Sequence, residues 1–107
     1  MKIYIAGPYT KGDVDQNVEK AIFFGDWISA FGHTVFIPHL THFWEKQIHH
    51  EWEFWMKQDL EWLKMCDAVF RIEGESRGAD MEVELAKKMG KPIYYDIAEI
   101  AALERPK

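Results

Sequence analysis

Two carboxylates of the sequence fall on the apolar faces of predicted helices, where a charged side chain is unexpected. Glu82 lies on the apolar face of the helix after the third predicted strand, whereas Glu84 lies on its solvent side. Asp59 lies on the apolar stripe of the preceding helix, one turn from both Trp55 and Leu63. Buried charge is costly, and Asp is a poor residue within helices. Two inward-facing carboxylates from different helices suit acid–base and nucleophilic chemistry at a glycosidic carbon.

Each of these polar side chains also has a purely structural interpretation. Glu82 can be a first-turn acid that the helix dipole favours. Asp59 can occupy the edge of the stripe beside an ion-pair partner. Tyr4 lies in the first predicted strand, and its hydroxyl needs a partner if it is buried. It is therefore either a core aromatic or a donor aimed at a carboxylate.

A polar loop at 73–80 separates the third predicted strand from the next helix and contains Gly74, Ser76 and Gly78. Backbone N–H groups at a helix N-terminus form an anion site that the helix dipole strengthens. The alternative is an ordinary connecting loop in which Ser76 is the helix N-cap. The loop is neither a P-loop nor a dinucleotide-binding fingerprint, because it lacks the residues that define those motifs.

Four histidines in the middle of the chain raise the question of a metal site. They form the pattern His39-x-x-His42 followed by His49 and His50, without a second fixed spacing or an acidic partner. We therefore expect no metal, and we expect His39 or His42 to line a pocket. Cys66, the only cysteine, is expected to be a buried small hydrophobe.

The elements that must position these side chains alternate between strand and helix, which predicts an α/β fold with a parallel sheet covered on both faces. A ligand crevice is then expected at the carboxyl ends of the strands, in the loops at 7–14, 38–47, 73–80 and 95–97. In chain order the predicted elements are strand 3–6, helix 16–31 with Asp15 as N-cap and Gly32 as its stop, strand 34–37, a long connection over 38–50, helix 48–65, strand 68–72, helix 81–89 with Gly90 as its stop, strand 91–95 and a short helix capped by Asp96.

Length and charge exclude several classes of protein. The chain has 107 residues, which predicts one domain over 1–107. Its net charge of −5 and its lack of a basic stripe argue against a nucleic-acid polymer as partner. No apolar run reaches the ~18 residues of a membrane span, so we expect a soluble, cytoplasmic protein. All five tryptophans lie between positions 27 and 62, and the helix at 48–65 is expected to form a homo-oligomer face.

Four sequence strings together resemble the nucleoside 2-deoxyribosyltransferase superfamily. The resemblance covers about residues 2–95 and is closest to the branch of 2'-deoxynucleoside 5'-monophosphate N-glycosidases. The strings are Ile3-Tyr4-Ile5-Ala6-Gly7-Pro8, Asp59-Leu60-Glu61-Trp62-Leu63 with Cys66-Asp67-Ala68-Val69, Ser76-Arg77-Gly78-Ala79-Asp80-Met81-Glu82, and Gly90-Lys91-Pro92-Ile93.

This resemblance implies a Rossmann-like (flavodoxin-like) sheet of about four to five strands and an enzyme that cleaves N-glycosidic bonds without a cofactor. It also implies that Glu82 is the nucleophile at the sugar C1'. Asp59 would orient the surroundings of the nucleophile or protonate the leaving base, and Tyr4 would hydrogen-bond the Glu82 carboxylate. A covalent glycosyl-enzyme would then react with water or with a second base.

Substrate-binding roles follow from the same resemblance. Ser76 and the N–H of Gly78 would hold the 5' end of the sugar, where the monophosphate branch has a phosphate. Gly7 would allow the backbone to approach the sugar, and His39 would line the pocket. The favoured function is hydrolysis of a (deoxy)nucleoside 5'-monophosphate. The alternatives are a transferase on free deoxynucleosides and a non-catalytic nucleotide-binding module.

Overall fold

Four parallel strands form the centre of the protein in a computed structural model that describes residues 1–103. They are ordered β2-β1-β3-β4, so β1 and β3 are the inner strands. This architecture confirms the predicted α/β fold with a parallel sheet of four to five strands. The strands are β1 (Lys2–Ala6), β2 (Thr34–Phe36), β3 (Ala68–Arg71) and β4 (Ile93–Tyr94).

Helices cover both faces of this sheet, as predicted. One apolar cluster joins α1 and α5 to one face of β1 and β3, and a second joins α3 and α4 to the other face. None of the helices among residues 1–103 is both long and apolar enough to cross a membrane. The helices are α1 (Val14–Ala30), α2 (Thr41–Gln47), α3 (Trp52–Met65), α4 (Arg77–Lys88) and α5 (Ile97–Ala101).

Alternation along β1 decides which of its side chains face the candidate carboxylates. Ile3 and Ile5 pack in the cluster with α1 and α5. Tyr4 and Ala6 point to the opposite face and pack in the cluster with α3 and α4. Cys66 belongs to that second cluster and is buried, which confirms the prediction for it.

Two helices begin earlier than predicted, because capping side chains act before the apolar pattern starts. Asp13, not Asp15, caps α1, and its carboxylate accepts a hydrogen bond from the Gln16 N–H at 3.1 Å. The α4 helix begins at Arg77 rather than at residue 81, because Ser76 accepts from the Ala79 N–H at 3.1 Å. The predicted cap at Asp96 is confirmed, with a full capping box to Glu99.

The predicted long connection over 38–50 contains regular structure. A 3₁₀ turn at Pro38–Leu40 leads directly into α2, and Thr41 Oγ1 donates to the Pro38 carbonyl at 2.7 Å. The following helix begins at Trp52 rather than at residue 48, since the chain is extended at Ile48 and Glu51. The strands β2, β3 and β4 are each shorter than predicted.

Strand order also fixes where a ligand can enter. The chain runs from β1 outward to β2 and then crosses to β3 on the other side, so β1 and β3 flank the point where the winding reverses. In open α/β sheets the ligand crevice lies at the carboxyl ends of the strands beside this point. The loops after β1 and β3 therefore meet there, which brings Gly7 towards Ser76 and Gly78.

Candidate active site

A cavity of about 490 Å³ opens at the carboxyl ends of β1 and β3. This volume lies in the usual range of small-molecule sites. Its walls come from the loops after β1, β2 and β3 and from α2, α3 and α4. Of the seven predicted site residues, six line it, and Tyr4 reaches it by its contact with Glu82. The six are Gly7, His39, Asp59, Ser76, Gly78 and Glu82.

Glu82 is the most deeply buried carboxylate of the cavity, with only 5% of its surface exposed. Its Oε2 accepts a short hydrogen bond from the hydroxyl of Tyr4, which is itself fully buried. Burial raises the pKa of Glu82 to about 8, and the negative charge of Asp59 adds to that rise. The Tyr4 hydrogen bond and the Arg71 charge act in the opposite direction. The pKa of Glu82 therefore lies close to neutral pH, so both its protonated and its ionised forms are present there.

Tyr4 remains a proton donor in this pair. Burial raises its pKa well above 10.0, and the charge of Glu82 adds to the effect. Its ring stacks on Phe36 with the centroids 5.7 Å apart, which fixes the direction of the hydroxyl. Tyr4 therefore holds the Glu82 carboxylate in one orientation.

Asp59 supplies the second perturbed carboxylate. Burial raises its pKa to about 7. Its Oδ1 is buried and has no hydrogen-bond partner among the described residues. An unpaired buried acceptor is costly and points to a ligand group that the folded chain does not supply. When Asp59 is protonated, it can donate a hydrogen bond or a proton into the cavity.

The N-terminus of α4 forms another part of the wall. Ser76 Oγ accepts from the Ala79 N–H, so the hydrogen of this hydroxyl remains available to a ligand. The N–H groups of the first helical turn have no acceptor within the helix. A Cβ at Gly78 would make an ordinary van der Waals contact with Met56 Sδ at 3.5 Å, so packing alone does not require a glycine in this turn. The arrangement suits an oxygen-rich or anionic group.

His39 and Gly7 shape the loop after β1. The Nε2–H of His39 donates to the carbonyl oxygens of Gly7 at 3.2 Å and Pro8 at 3.0 Å. Burial lowers the pKa of His39, so the ring is neutral at neutral pH. A Cβ at Gly7 would lie 2.9 Å from Ile72 Cβ, so the glycine is needed for packing between β1 and the end of β3.

Two contacts span the mouth of the cavity. Lys11 in the loop after β1 forms an ion pair with Glu75 at 3.5 Å, and both side chains are mostly exposed. The Arg77 guanidinium lies 5.3 Å from the ring centroid of Trp52. Trp52 is 45% exposed. All four residues line the cavity, and two of them carry positive charge.

Comparison with known proteins places the chain in a family. Residues 1–95 match the family described as a domain of unknown function, DUF4406. The chain belongs to this family. No curated protein matches this DUF4406 chain by sequence.

One solved structure with a similar fold is the 2-deoxyribosyltransferase from the psychrotolerant bacterium Bacillus psychrosaccharolyticus. The two share 22% sequence identity, and the match covers 100% of this DUF4406 chain and 99% of that chain. The TM-score is 0.69, which shows that the two proteins share a fold over their whole described lengths.

Arg71 lies outside the cavity wall and was not predicted, but its charge lowers the pKa of Glu82. Its side chain is 10% exposed, and Nη2 donates to the Gly74 carbonyl at 2.9 Å and to Asp80 at 3.0 Å. Nη1 donates to the Ile72 carbonyl. Arg71 thus fixes the loop that leads to α4. Its position at the end of an apolar strand was a usable signal, because an arginine there must find acceptors nearby.

Glu45, His50 and Trp55 also line the cavity, and none of them was predicted as a site residue. Residues 38–50 were predicted as a connection, so no helical register placed Glu45 on a face. Of the histidines that raised the metal question, His42 forms a hydrogen bond between its Nδ1 and the Tyr9 hydroxyl at 2.8 Å. Within residues 1–103 no group of three or more His, Cys, Asp and Glu side chains could hold a metal ion.

Proposed function

We propose that the protein cleaves the N-glycosidic bond of a nucleoside or nucleotide through a covalent glycosyl–Glu82 intermediate. The observation that carries this proposal is a pair of buried carboxylates, Glu82 and Asp59, with raised pKa values in one cavity. Perturbed carboxylates in a cleft are typical of acid–base and nucleophilic sites. The shared fold with a 2-deoxyribosyltransferase supports the same assignment.

In the first step, the ionised Glu82 attacks C1' of the sugar. A bond forms between a Glu82 oxygen and C1', the bond from C1' to the base nitrogen breaks, and its electron pair leaves with the base. Asp59 enters protonated and gives its proton to the leaving base. The positive charge that develops at C1' is stabilised by the adjacent carboxylate. Tyr4 keeps this carboxylate in place through its hydrogen bond.

In the second step, a nucleophile releases the sugar from Glu82. A bond forms between the nucleophile and C1' while the bond between C1' and Glu82 breaks, its electron pair returns to the Glu82 carboxylate, and Asp59 accepts the proton of the incoming group. Water gives hydrolysis, and a second nucleobase gives transfer. Because the protein of similar fold is a 2-deoxyribosyltransferase, we favour transfer between free deoxynucleosides.

A second candidate is hydrolysis of a (deoxy)nucleoside 5'-monophosphate. It is supported by the N-terminal turn of α4, with Ser76 and Gly78, and by the positive charges of Lys11 and Arg77 at the cavity mouth. A 5'-phosphate that accepts hydrogen bonds from these groups would be bound as helix N-termini bind anions. This arrangement is the reason to include monophosphates in the assay.

The test is a panel of deoxynucleosides, ribonucleosides and their 5'-monophosphates, each incubated with and without a second free base. Release of base from monophosphates alone supports the hydrolase, and base exchange without net release supports the transferase. Binding without release of any base supports a non-catalytic nucleotide-binding module and would refute the proposed chemistry. Formation of a glycosyl adduct on Glu82, detected by mass spectrometry of trapped protein, checks the intermediate directly.

A further inference from the structure

The α2–α3 side of the cavity is an aromatic wall held by one carboxylate. This wall consists of Glu45, His50, Trp52, Trp55 and Met56, and all five line the cavity. The indole of Trp55 stands edge-on to Trp44, with the centroids 4.8 Å apart and an interplanar angle of 88°. A wall of this kind presents π-surface to a planar heteroaromatic group.

Glu45 connects the two sides of this wall. Its Oε2 accepts from the indole N–H of Trp55 at 2.8 Å and from the backbone N–H of His50 at 3.0 Å. His49 Nδ1 makes a further short contact with Oε1. These donors, first of all the His50 backbone, hold the pKa of Glu45 below its usual range, so it accepts hydrogen bonds as a carboxylate.

The backbone that carries this wall has little stabilisation of its own, so a side-chain connection is needed. The α2 helix has seven residues, and a helix this short is marginal on its own. It ends at Gln47, and residues 48–51 separate it from α3, which begins at Trp52. Glu45 joins the end of α2 to the first turn of α3 across this gap. Its side chain is 23% exposed, so the contact is shielded from water.

We propose that Glu45 is a positioning residue: it fixes the Trp55 indole as the preformed wall against which the nucleobase of the substrate binds. This inference rests on the proposed function, in which a base occupies the cavity. A ring that is already held in its binding orientation loses less freedom when the ligand arrives. Glu45 therefore acts on substrate affinity and does not act on the bond-breaking step at Glu82.

The decisive variant is Glu45→Gln, which keeps the shape of the side chain and one carbonyl oxygen but removes the negative charge that strengthens the bonds from Trp55 and His50. The matched control is Glu51→Gln. Glu51 also contacts His49, at 3.3 Å, but it is mostly exposed and does not line the cavity. A third variant, Trp55→Phe, retains an aromatic ring and removes the N–H group that donates a hydrogen bond to Glu45.

Two measurements separate this inference from the proposed function. The first is hydrogen exchange of the Trp55 indole N–H by NMR, which needs no turnover. The second is the affinity for the panel of deoxynucleosides and 5'-monophosphates in the Glu82→Gln background, read by quenching of tryptophan fluorescence. We expect Glu45→Gln to speed hydrogen exchange of the indole N–H and to weaken binding about tenfold, as expected when a charged hydrogen bond becomes a neutral one. In the active protein KM should rise by the same factor with kcat unchanged.

The double variant completes the test. Because Glu45 acts through the Trp55 N–H, adding Glu45→Gln to Trp55→Phe should cause little further loss of binding affinity. The inference is overturned if the indole stays protected in Glu45→Gln, if Glu51→Gln weakens binding equally, if kcat falls while KM is unchanged, or if no panel compound binds. Failure of the proposed chemistry alone would appear as absence of base release by a protein that still binds the panel and loses affinity in Glu45→Gln.

Discussion

At the scale of single residues, Glu82 and Asp59 require opposite protonation states. Attack at C1' needs Glu82 ionised, and protonation of the leaving base needs Asp59 neutral. With pKa values of about 8 for Glu82 and about 7 for Asp59, the pair holds one proton between these limits, and the higher pKa of Glu82 keeps most of that proton on Glu82. The reactive form, with the proton on Asp59, is therefore the minor of the two singly protonated forms. The groups share the cavity and influence each other's charge, so the two pKa values belong to the pair.

Replacing Glu82 by Gln should abolish turnover, with a loss of at least about 1,000-fold, because the amide cannot form the glycosyl intermediate. The fold should remain intact, since Gln keeps the volume and can still accept from Tyr4. Initial rates of base release measure the effect. The matched control is Glu84→Gln on the solvent side of the same helix, where Glu84 forms only an exposed 3.9 Å pair with Lys87. Equal rates for wild type and Glu82→Gln would contradict the assignment.

The dependence of kcat/KM on pH should be bell-shaped, with its maximum between about 7 and 8. In Tyr4→Phe the hydrogen bond that lowers the pKa of Glu82 is lost, so the acidic limb should move to higher pH. A shift of about one unit would lower kcat/KM about tenfold on the acidic side. The control is Tyr95→Phe, whose ring is exposed. An unmoved acidic limb in Tyr4→Phe would show that Tyr4 does not tune Glu82.

The two carboxylates that could be identified from the sequence share one property, which is that each breaks a pattern. Glu82 and Asp59 stood out because each interrupts an apolar helical face, and the structure places both at the cavity. Glu45 interrupts nothing in the sequence, because the helix that carries it is short and was not predicted. Its role depends on the indole N–H of Trp55, ten residues away, and on a turn whose geometry only the folded chain defines.

At the scale of elements, the alternation of strand and helix was predictable, and the exact boundaries were not. Apolar periodicity reports burial, and it gives no sign of where a cap begins a helix. Ser76 therefore starts α4 four residues before the pattern suggests, which turns half of a predicted loop into the helix N-terminus of the candidate site. The 3₁₀ turn and α2 escaped prediction because only α2's contacts with its neighbours stabilise so short a helix.

Close packing between α1 and the end of β2 gives a test at this scale. A Cβ at Gly25 would lie 2.4 Å from Ile37 Cδ1 and 2.8 Å from Ile37 Cγ1. Gly25→Ala gains helix propensity of about 1 kcal/mol, but overpacking of this kind costs about 1–3 kcal/mol. We expect a net loss of about 1 kcal/mol in the free energy of unfolding, measured by urea denaturation.

A second substitution checks the cause of that loss. Ile37→Val removes Cδ1, the atom closest to the added Cβ. It should therefore lower the free energy of unfolding less in the Gly25→Ala background than in the wild type. Additive effects of the two substitutions would show that the steric contact is not the reason.

At the scale of the whole molecule, several large apolar side chains lie in solvent. Trp62 is 51% exposed although it stacks on Phe36 of the edge strand β2, with the centroids 5.0 Å apart. Leu40 and Trp44 line an apolar groove beside the same strand. Exposed patches of this kind are typical of protein interfaces, so self-association stays a prediction.

Sedimentation velocity over a range of concentrations checks the predicted self-association. We expect a species heavier than the 12.6 kDa chain, and we expect Trp62→Arg to shift it towards the monomer. The control is Met89→Arg, which adds the same charge at an exposed position outside the predicted face. A monomer at all concentrations would refute the prediction.

The buried carboxylates should also make the stability of the whole molecule depend on pH. Folding raises the pKa of Glu82 from 4.5 to about 8. Below pH 4 the group is protonated in both states and has no effect. As the pH rises, the unfolded chain releases this proton first, so the free energy of unfolding falls until the pH passes about 8. The same sign applies to Asp59, whose pKa rises from 3.8 to about 7.

Glu82→Gln removes this dependence, so it should be more stable than the wild type at pH 8.5 by about 2–4 kcal/mol and nearly equal to it at pH 4. Against a typical total of about 5–15 kcal/mol, such a gain is large. This gain would show that burying the reactive carboxylate at the candidate site lowers the free energy of unfolding of the wild type. Urea denaturation at the two pH values measures it, with Glu84→Gln as the exposed control. A gain of the same size at pH 4 would show that the charge of Glu82 is not its cause.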